Sequence, residues 1–309
     1  MIHVGNVAKD IVPDDPRGWR LGGGVSFAAL TSARLGLRSA AIIGVDAVTR
    51  EARELDLLRD AGVAIMLVEV AQSPSFDNAA GPAGRRQICL APGVPLPVVP
   101  IPAAWAAAPV WLVVPVADET GHAWAVAVPS GARLALAWQG LLRTLVADTP
   151  TGRRAPIETP LVRRADLISV SRHDLVPGTT LDDLTALLRP AAELLVTEGV
   201  EGGLLVATTE SGSPRTMRYR SLPARQVDPT GAGDVFMAAY VAGSIVNQAA
   251  AGDPWPVEAV VRWAAAGSAM AVEGLGLEGI PTRAELLARL EREAPGSLIE
   301  PVPAGEPAL

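Results

Sequence analysis

The chain has little of what redox and metal chemistry requires. One cysteine, Cys89, and three histidines are spread over 309 residues. A lone thiol excludes an internal disulfide and fits a reducing compartment. His3, His122 and His173 lie in unrelated contexts, and with Cys89 they make no zinc-ligand spacing. Lysine is almost missing: Lys9 stands alone, and the other basic side chains are arginines. The net charge of −7 argues against a nucleic-acid backbone as partner, though not against a nucleotide held by a few local groups. The first residues, Met1 to Gly5, are already strand-like and show no basic-then-apolar leader. A cytoplasmic protein is therefore expected. Long apolar runs are broken by Pro, Gly, Arg or Asp. Val235 to Ala251 is nearly long enough to span a bilayer, but it starts at a glycine-rich turn and is rich in Ala and Gly, so it reads as a buried helix.

What is present is a large apolar fraction, 49 %, enough for a sizeable core. Strand and helix patterns alternate from the start. Ile2–Val7, Ala40–Gly44 and Val63–Val68 read as strands; Gly22–Gly36 and Arg50–Ala61 read as helices between them. This alternation predicts a parallel sheet covered by helices. The rhythm breaks from about Ser73 to Pro100, where two short antiparallel strands suggest a small lid. It resumes with Val110–Val114, Leu134–Ala137, Leu167–Val170 and Leu194–Thr197. A hairpin over Gly202–Ala207 and Thr216–Tyr219 follows, and helices over Trp255–Val272 and Thr282–Arg292 close the chain. Thr282 and Glu285 have capping-box spacing. The expected organisation is one domain over residues 1–294, with a lid insertion at about 72–100, and a tail over 295–309.

The most informative stretch is Asp228-Pro229-Thr230-Gly231-Ala232-Gly233-Asp234. Two carboxylates bracket a glycine-rich turn, and a helix starts inside it. A helix start carries unpaired N–H groups and a positive dipole end, so it attracts anions. Gly231 and Gly233 allow a phosphate to come close to that backbone. A carboxylate at such a place suits a general base that takes a proton from an attacking alcohol. The plain alternative is a helix start with Asp serving the dipole.

Together with the small residues Ala238, Ala239, Ala242 and Gly243, this heptapeptide resembles the C-terminal signature of the ribokinase-like (PfkB-type) carbohydrate kinases. Gly22-Gly23, followed by a helix ending in Leu35-Gly36, is similar to that family's N-terminal double glycine. The resemblance implies an α/β three-layer sandwich: a mostly parallel sheet, helices on both faces and a small β lid. It also implies ATP and Mg²⁺ as cofactors, with K⁺ a further candidate. Asp234 would be the base, and the N–H groups of Gly231, Ala232 and Gly233 the anion hole.

Asp10, Gly22 and Gly23 would hold the acceptor; the alternatives are a solvated loop charge and a flexible turn. Phe27 stands where the family usually has Asn, and it would stack on the acceptor's ring or fill space. Arg86 on the lid would contact the acceptor or its product, or simply be a solvated strand edge. Thr197, Gly199 and Gly202 would lie by the nucleotide, a role compatible with a tight turn. The family's Asn-x-x-Glu is replaced by Ser171-x-x-Asp174, so Asp174 would place Mg²⁺ through water or cap a helix. Asp228 and Thr230 match positions that help hold a monovalent cation. Trp138, Gln139, Gly140 and Arg143 follow a strand and would line the crevice, with packing the safer role for Trp138.

The short segment between Asp10 and Gly22, Phe27, and the patterns at residues 73–77 and 84–87 look like a subgroup that includes myo-inositol kinases. The expected partner is a small sugar, inositol or similar polyol, with no nucleic acid and no membrane. An exposed lid edge would suit pairing into a homodimer. Two other readings stay open: a nucleoside kinase of the same family, and a non-catalytic ligand-binding protein on a kinase scaffold.

Overall fold

Short apolar segments with little alternation of polarity form the centre, as expected of strands buried on both faces. A computed structural model describes residues 1–81, 84–208, 215–251, 257–293, 298–303 and 309. The chain opens with strands Ile2–Asn6 (β1), Ala8–Ile11 (β2) and Trp19–Gly22 (β3), then helix Gly24–Arg34 (α1). Next come Ala40–Val45 (β4), Glu54–Asp60 (α2), Ala64–Glu69 (β5), Ser75–Gly81 (β6) and Gly84–Ala91 (β7). The middle holds Ala103–Ala106 (α3), Val110–Val113 (β8), His122–Ala127 (α4), Arg133–Ala137 (β9), Arg143–Thr144 (β10), Thr149–Pro150 (β11) and Gly152–Arg153 (β12). After these lie Pro160–Arg164 (α5), Leu167–Ser171 (β13), Leu181–Thr185 (α6), Glu193–Thr197 (β14), Gly203–Ala207 (β15) and Arg215–Tyr219 (β16). Ala232–Ala251 (α7), Val257–Val272 (α8), Arg283–Arg292 (α9) and Ile299–Pro301 (β17) complete it.

Among the described residues the large sheet runs β17-β16-β15-β14-β13-β9-β8-β1-β4-β5. The strands from β14 to β5 are parallel, and β15, β16 and β17 add antiparallel at one edge. Neighbouring residues of one strand enter different cores. Trp111 and Val113 pack with Trp124 of α4, Leu161 of α5 and Leu184 of α6. Leu112 and Val114 pack instead with α7 and α8. The result is the expected three-layer α/β sandwich. The small residues on α7 let α8 approach: Gly243 faces Trp263, and Gly267 of α8 faces Ala239.

A second sheet of order β11-β7-β6-β2-β3 stands at one end of the first. It draws on residues 8–22 and 149–150 as well as on the hairpin within 72–100. Residues 92–100 form no strand; Pro92, Pro95, Pro97 and Pro100 lack the N–H a ladder needs. Leu96 packs instead into the main core, and its carbonyl accepts from the Trp124 indole N–H at 2.9 Å. The loop of the β2–β3 hairpin is latched to α2. Arg17 donates to both Glu54 oxygens at 2.9 and 2.5 Å, and Asp15 pairs with Arg17, Arg20 and Arg53. In the tail, β17 pairs with β16.

Ile42 of β4 is completely buried among these strands. Ile42→Ala is expected to lower the unfolding free energy by about 2–5 kcal/mol, because the cavity relaxes only partly. Urea unfolding of both proteins measures the difference.

Candidate active site

The site lies where the carboxyl ends of β1, β8, β9 and β13 meet the second sheet. β1 is flanked by β4 on one side and β8 on the other, so the winding reverses here; open α/β sheets bind ligands at such a point.

Two helix starts converge on one carboxylate. Gly231, in the left-handed conformation at φ +77°, delivers the chain into α7. Gly233 is exposed, and Ala232 and Asp234 are half-buried, so the leading turn faces open space. Asp234 projects from this turn onto the first residue of α1. A Cβ built on Gly24 would lie 2.7 Å from its Oδ1. The start of α1 has no side-chain cap. Burial pushes the Asp234 pKa up to about 7; Arg143 counters that rise and Asp174 adds to it.

Phe27 does not reach the crevice. It is 2 % exposed, and a Cβ on Gly231 would lie 2.3 Å from its ring. The aromatic is the floor beneath the glycine turn, so the expected stacking on an acceptor has no surface to use. Gly23, at φ +95°, crosses within van der Waals distance of the β1–β2 junction, where a Cβ would meet Asn6 O at 2.7 Å. Gly22 lies against Asp10, whose Oδ2 would be 2.0 Å from a Cβ there.

Asp10 belongs to a polar chain across the second sheet. Asn78 Nδ2 donates to Asp10 Oδ1 at 2.8 Å, and Gln87 Nε2 donates to Asn78 Oδ1 at 2.7 Å. Register places these three on the face that also carries Phe76 and Cys89. Arg86 alternates to the opposite, exposed face, so its guanidinium is not among the crevice groups. Asn78 was not singled out from the sequence; the period-2 alternation around Phe76 was the signal that could have found it.

On the other wall, Gln139 Nε2 donates to both oxygens of Asp174, at 3.1 and 3.2 Å. No cluster of three or more His, Cys, Asp or Glu suited to a metal occurs among the described residues. Asp174 is thus a single carboxylate on this wall, held by Gln139. Asp228 is a strut: its Oδ1 accepts from Thr230 N at 2.9 Å and its Oδ2 from Gly276 N at 3.1 Å. A monovalent cation would have to share those oxygens.

Thr197 ends β14, and Gly199 faces open space at φ +61°. Gly202 is explained by the fold itself, since a Cβ there would lie 2.0 Å from Tyr219 O. Between them Glu198 pairs with Arg172 at 2.8 Å and Arg218 at 3.7 Å. Glu119 is a further residue that the sequence did not signal. Only 2 % exposed, it accepts from the N–H groups of Asn6, Val116 and Ala117 and so fixes the ends of β1 and β8. Trp138 is buried in the core, as packing required, and Gly140 crosses close to Pro115 O.

The architecture and the glycine–aspartate helix start define a ribokinase-type α/β sandwich. Residues 138–283 match the family described as pfkB family carbohydrate kinase, and the chain as a whole has the ribokinase-like fold. Ribokinase of Bacillus subtilis (strain 168) is 29 % identical over 135 residues, which are 42 % of this chain and 41 % of that protein. The match therefore spans about two fifths of that relative's length. A pyrophosphate-dependent kinase of the ribokinase family, solved with a pyrophosphate analog and myo-inositol, superposes with TM-score 0.68 at 20 % identity, over 94 % of this chain and all of that one. Arabidopsis thaliana ribokinase, solved with ribose and ATP, gives TM-score 0.64 at 19 % identity, over 94 % and 99 % of the two chains.

Two outcomes are expected. Gly231→Ala lowers the melting temperature, because it combines left-handed strain with a clash on the Phe27 ring; Phe27→Leu in the same chain restores part of the loss. Asp234→Asn should be more stable than the wild type above pH 7. The raised pKa means that the native state binds the proton more tightly, so ionisation costs stability as pH rises from about 4 through 7. The gain should shrink to nothing near pH 4 when thermal unfolding is followed across pH.

Proposed function

We propose that this protein is a kinase transferring the terminal phosphoryl group of ATP to a hydroxyl of a sugar, inositol or similar polyol. The observation that carries the reading is the half-buried Asp234 carboxylate at the leading turn of α7, with its pKa raised to about 7. A carboxylate whose pKa is raised toward neutrality can accept the alcohol's proton.

The acceptor lies between the second sheet and the ends of β1 and β8. Asp10 accepts from its hydroxyls, and the donors left on Asn78 and Gln87 bind its oxygens. Asp234 takes the proton of the attacking hydroxyl. The N–H groups of Gly231, Ala232 and Gly233 stabilise charge on the phosphoryl in transfer. Asp174 would hold Mg²⁺ through water, and the ion would supply charge neutralisation when bound. Thr197 and Gly199 border the nucleotide, and a monovalent cation at Asp228 and Thr230 remains part of the proposal.

A second donor, pyrophosphate, is favoured by the description of the structure solved with a pyrophosphate analog. A panel of ribose, other sugars, inositols and nucleosides, each with ATP or pyrophosphate, tests the reading by product NMR. Transfer to a polyol supports it. Transfer only to nucleosides reassigns the acceptor, and no transfer by folded protein leaves a ligand-binding scaffold. With the acceptor so found, Asp234→Asn is expected to lower kcat by about 10²–10⁴-fold with donor affinity nearly unchanged. Undiminished kcat would reject Asp234 as base.

A further inference from the structure

The Asp174 carboxylate stands close enough to Asp234 to raise its proton affinity. On the reading above, a phosphoryl group must pass beside them with its own negative charge. A helix start offers only about half a positive charge. Lys9 is committed elsewhere, paired with Asp46 at 3.6 Å.

Arg143 is the side chain brought to this point, and three elements fix it. Leu141 and Leu142, just before it, are buried in the main core. Its own backbone is paired in β10 with β12. Its Nη1 donates to Val116 O, beyond the end of β8, at 3.0 Å. The guanidinium carbon sits 5.4 Å from the centre of the Phe76 ring, on the inner face of the second sheet. From there its charge bears on both Cys89 and Asp234. The cation therefore occupies the wall between the sheet that carries Asp10, Asn78 and Gln87 and the base on α7.

We propose that Arg143 is a further catalytic residue, whose guanidinium contacts the phosphoryl group during transfer and the phosphorylated product after it. The proposal rests on the kinase reading. In the step itself, the acceptor oxygen bonds to phosphorus as the bond to the donor's bridging oxygen breaks. The hydroxyl proton passes to Asp234, and the donor leaves as ADP, or as phosphate from pyrophosphate. Arg143 gains and loses no atom. It supplies the charge that lets an anion enter beside two acids, and it keeps part of Asp234 ionised at neutral pH.

The test uses Arg143→Gln and Arg143→Lys in the full chain, with thermal unfolding to establish that each folds. Arg143→Gln should lose at least about 10²-fold in kcat, as removal of one charged donor to a transition state does. Its acceptor KM should stay within about threefold of wild type. The acid limb of its kcat/KM profile should move to higher pH, and Arg143→Lys should recover part of both. Affinity for inorganic pyrophosphate, measured calorimetrically without turnover, should fall at least tenfold in Arg143→Gln. A loss confined to KM, an unmoved acid limb, or Lys behaving no better than Gln would overturn the proposal. If no donor and acceptor pair turns over, the kinase reading has failed, and the pyrophosphate affinity still decides Arg143: unchanged binding overturns it.

Discussion

A carboxylate held where two helix starts meet is the constraint on which the rest depends. The leading turn of α7 supplies it, and the uncapped start of α1 lies against it. In such a place the positive helix ends favour the ionised acid while burial opposes it. Burial prevails, since the pKa of Asp234 lies near 7 rather than in the usual carboxylate range. The group is poised between its two forms, which suits a base that must release its proton after each cycle.

Much of the fold can be read as scaffolding for that meeting. Gly231 lies on the Phe27 ring, and Gly23 crosses the β1–β2 junction, so both turns come closer than any side chain would permit. Asp228 ties the turn to the loop before α9, and Ser268 of α8 donates to Ala232 O at 3.1 Å. Glu119 gathers three backbone N–H groups at the ends of β1 and β8. The α7 start is thus set by packing on both sides before any ligand arrives. At the β1–β2 crossing a single residue, Val7, links the first sheet to the second, and the hairpin loop of the second sheet is latched by Arg17 to Glu54.

The sequence was most legible where one residue type answers one local demand. The turn at 228–234, the Leu35-Gly36 stop of α1 and the capping box of Thr282 with Glu285 all stand as the motifs indicated. Apolar strand runs and small residues on α7 conveyed the layered architecture. Long-range pairing was less legible. Nothing local says that residues 8–22 join the same sheet as 75–91, because parallel pairing of β2 with β6 is a property of the whole topology. Phe27 and Arg86 show the same limit. Whether an aromatic faces a ligand or a glycine, and which face of a strand an arginine takes, are settled by packing and register. Glu119 left no pattern, since its partners are backbone N–H groups, two of them in its own turn and one, on Asn6, far away in sequence.

The central claim is that Asp234 is an acid of near-neutral pKa at the phosphoryl site. A carboxyl ¹³C titration of this side chain in the resting protein tests it most directly, with Asp234→Asn used to assign the signal. The account predicts a midpoint near pH 7. A midpoint in the ordinary carboxylate range, near 4, would contradict it.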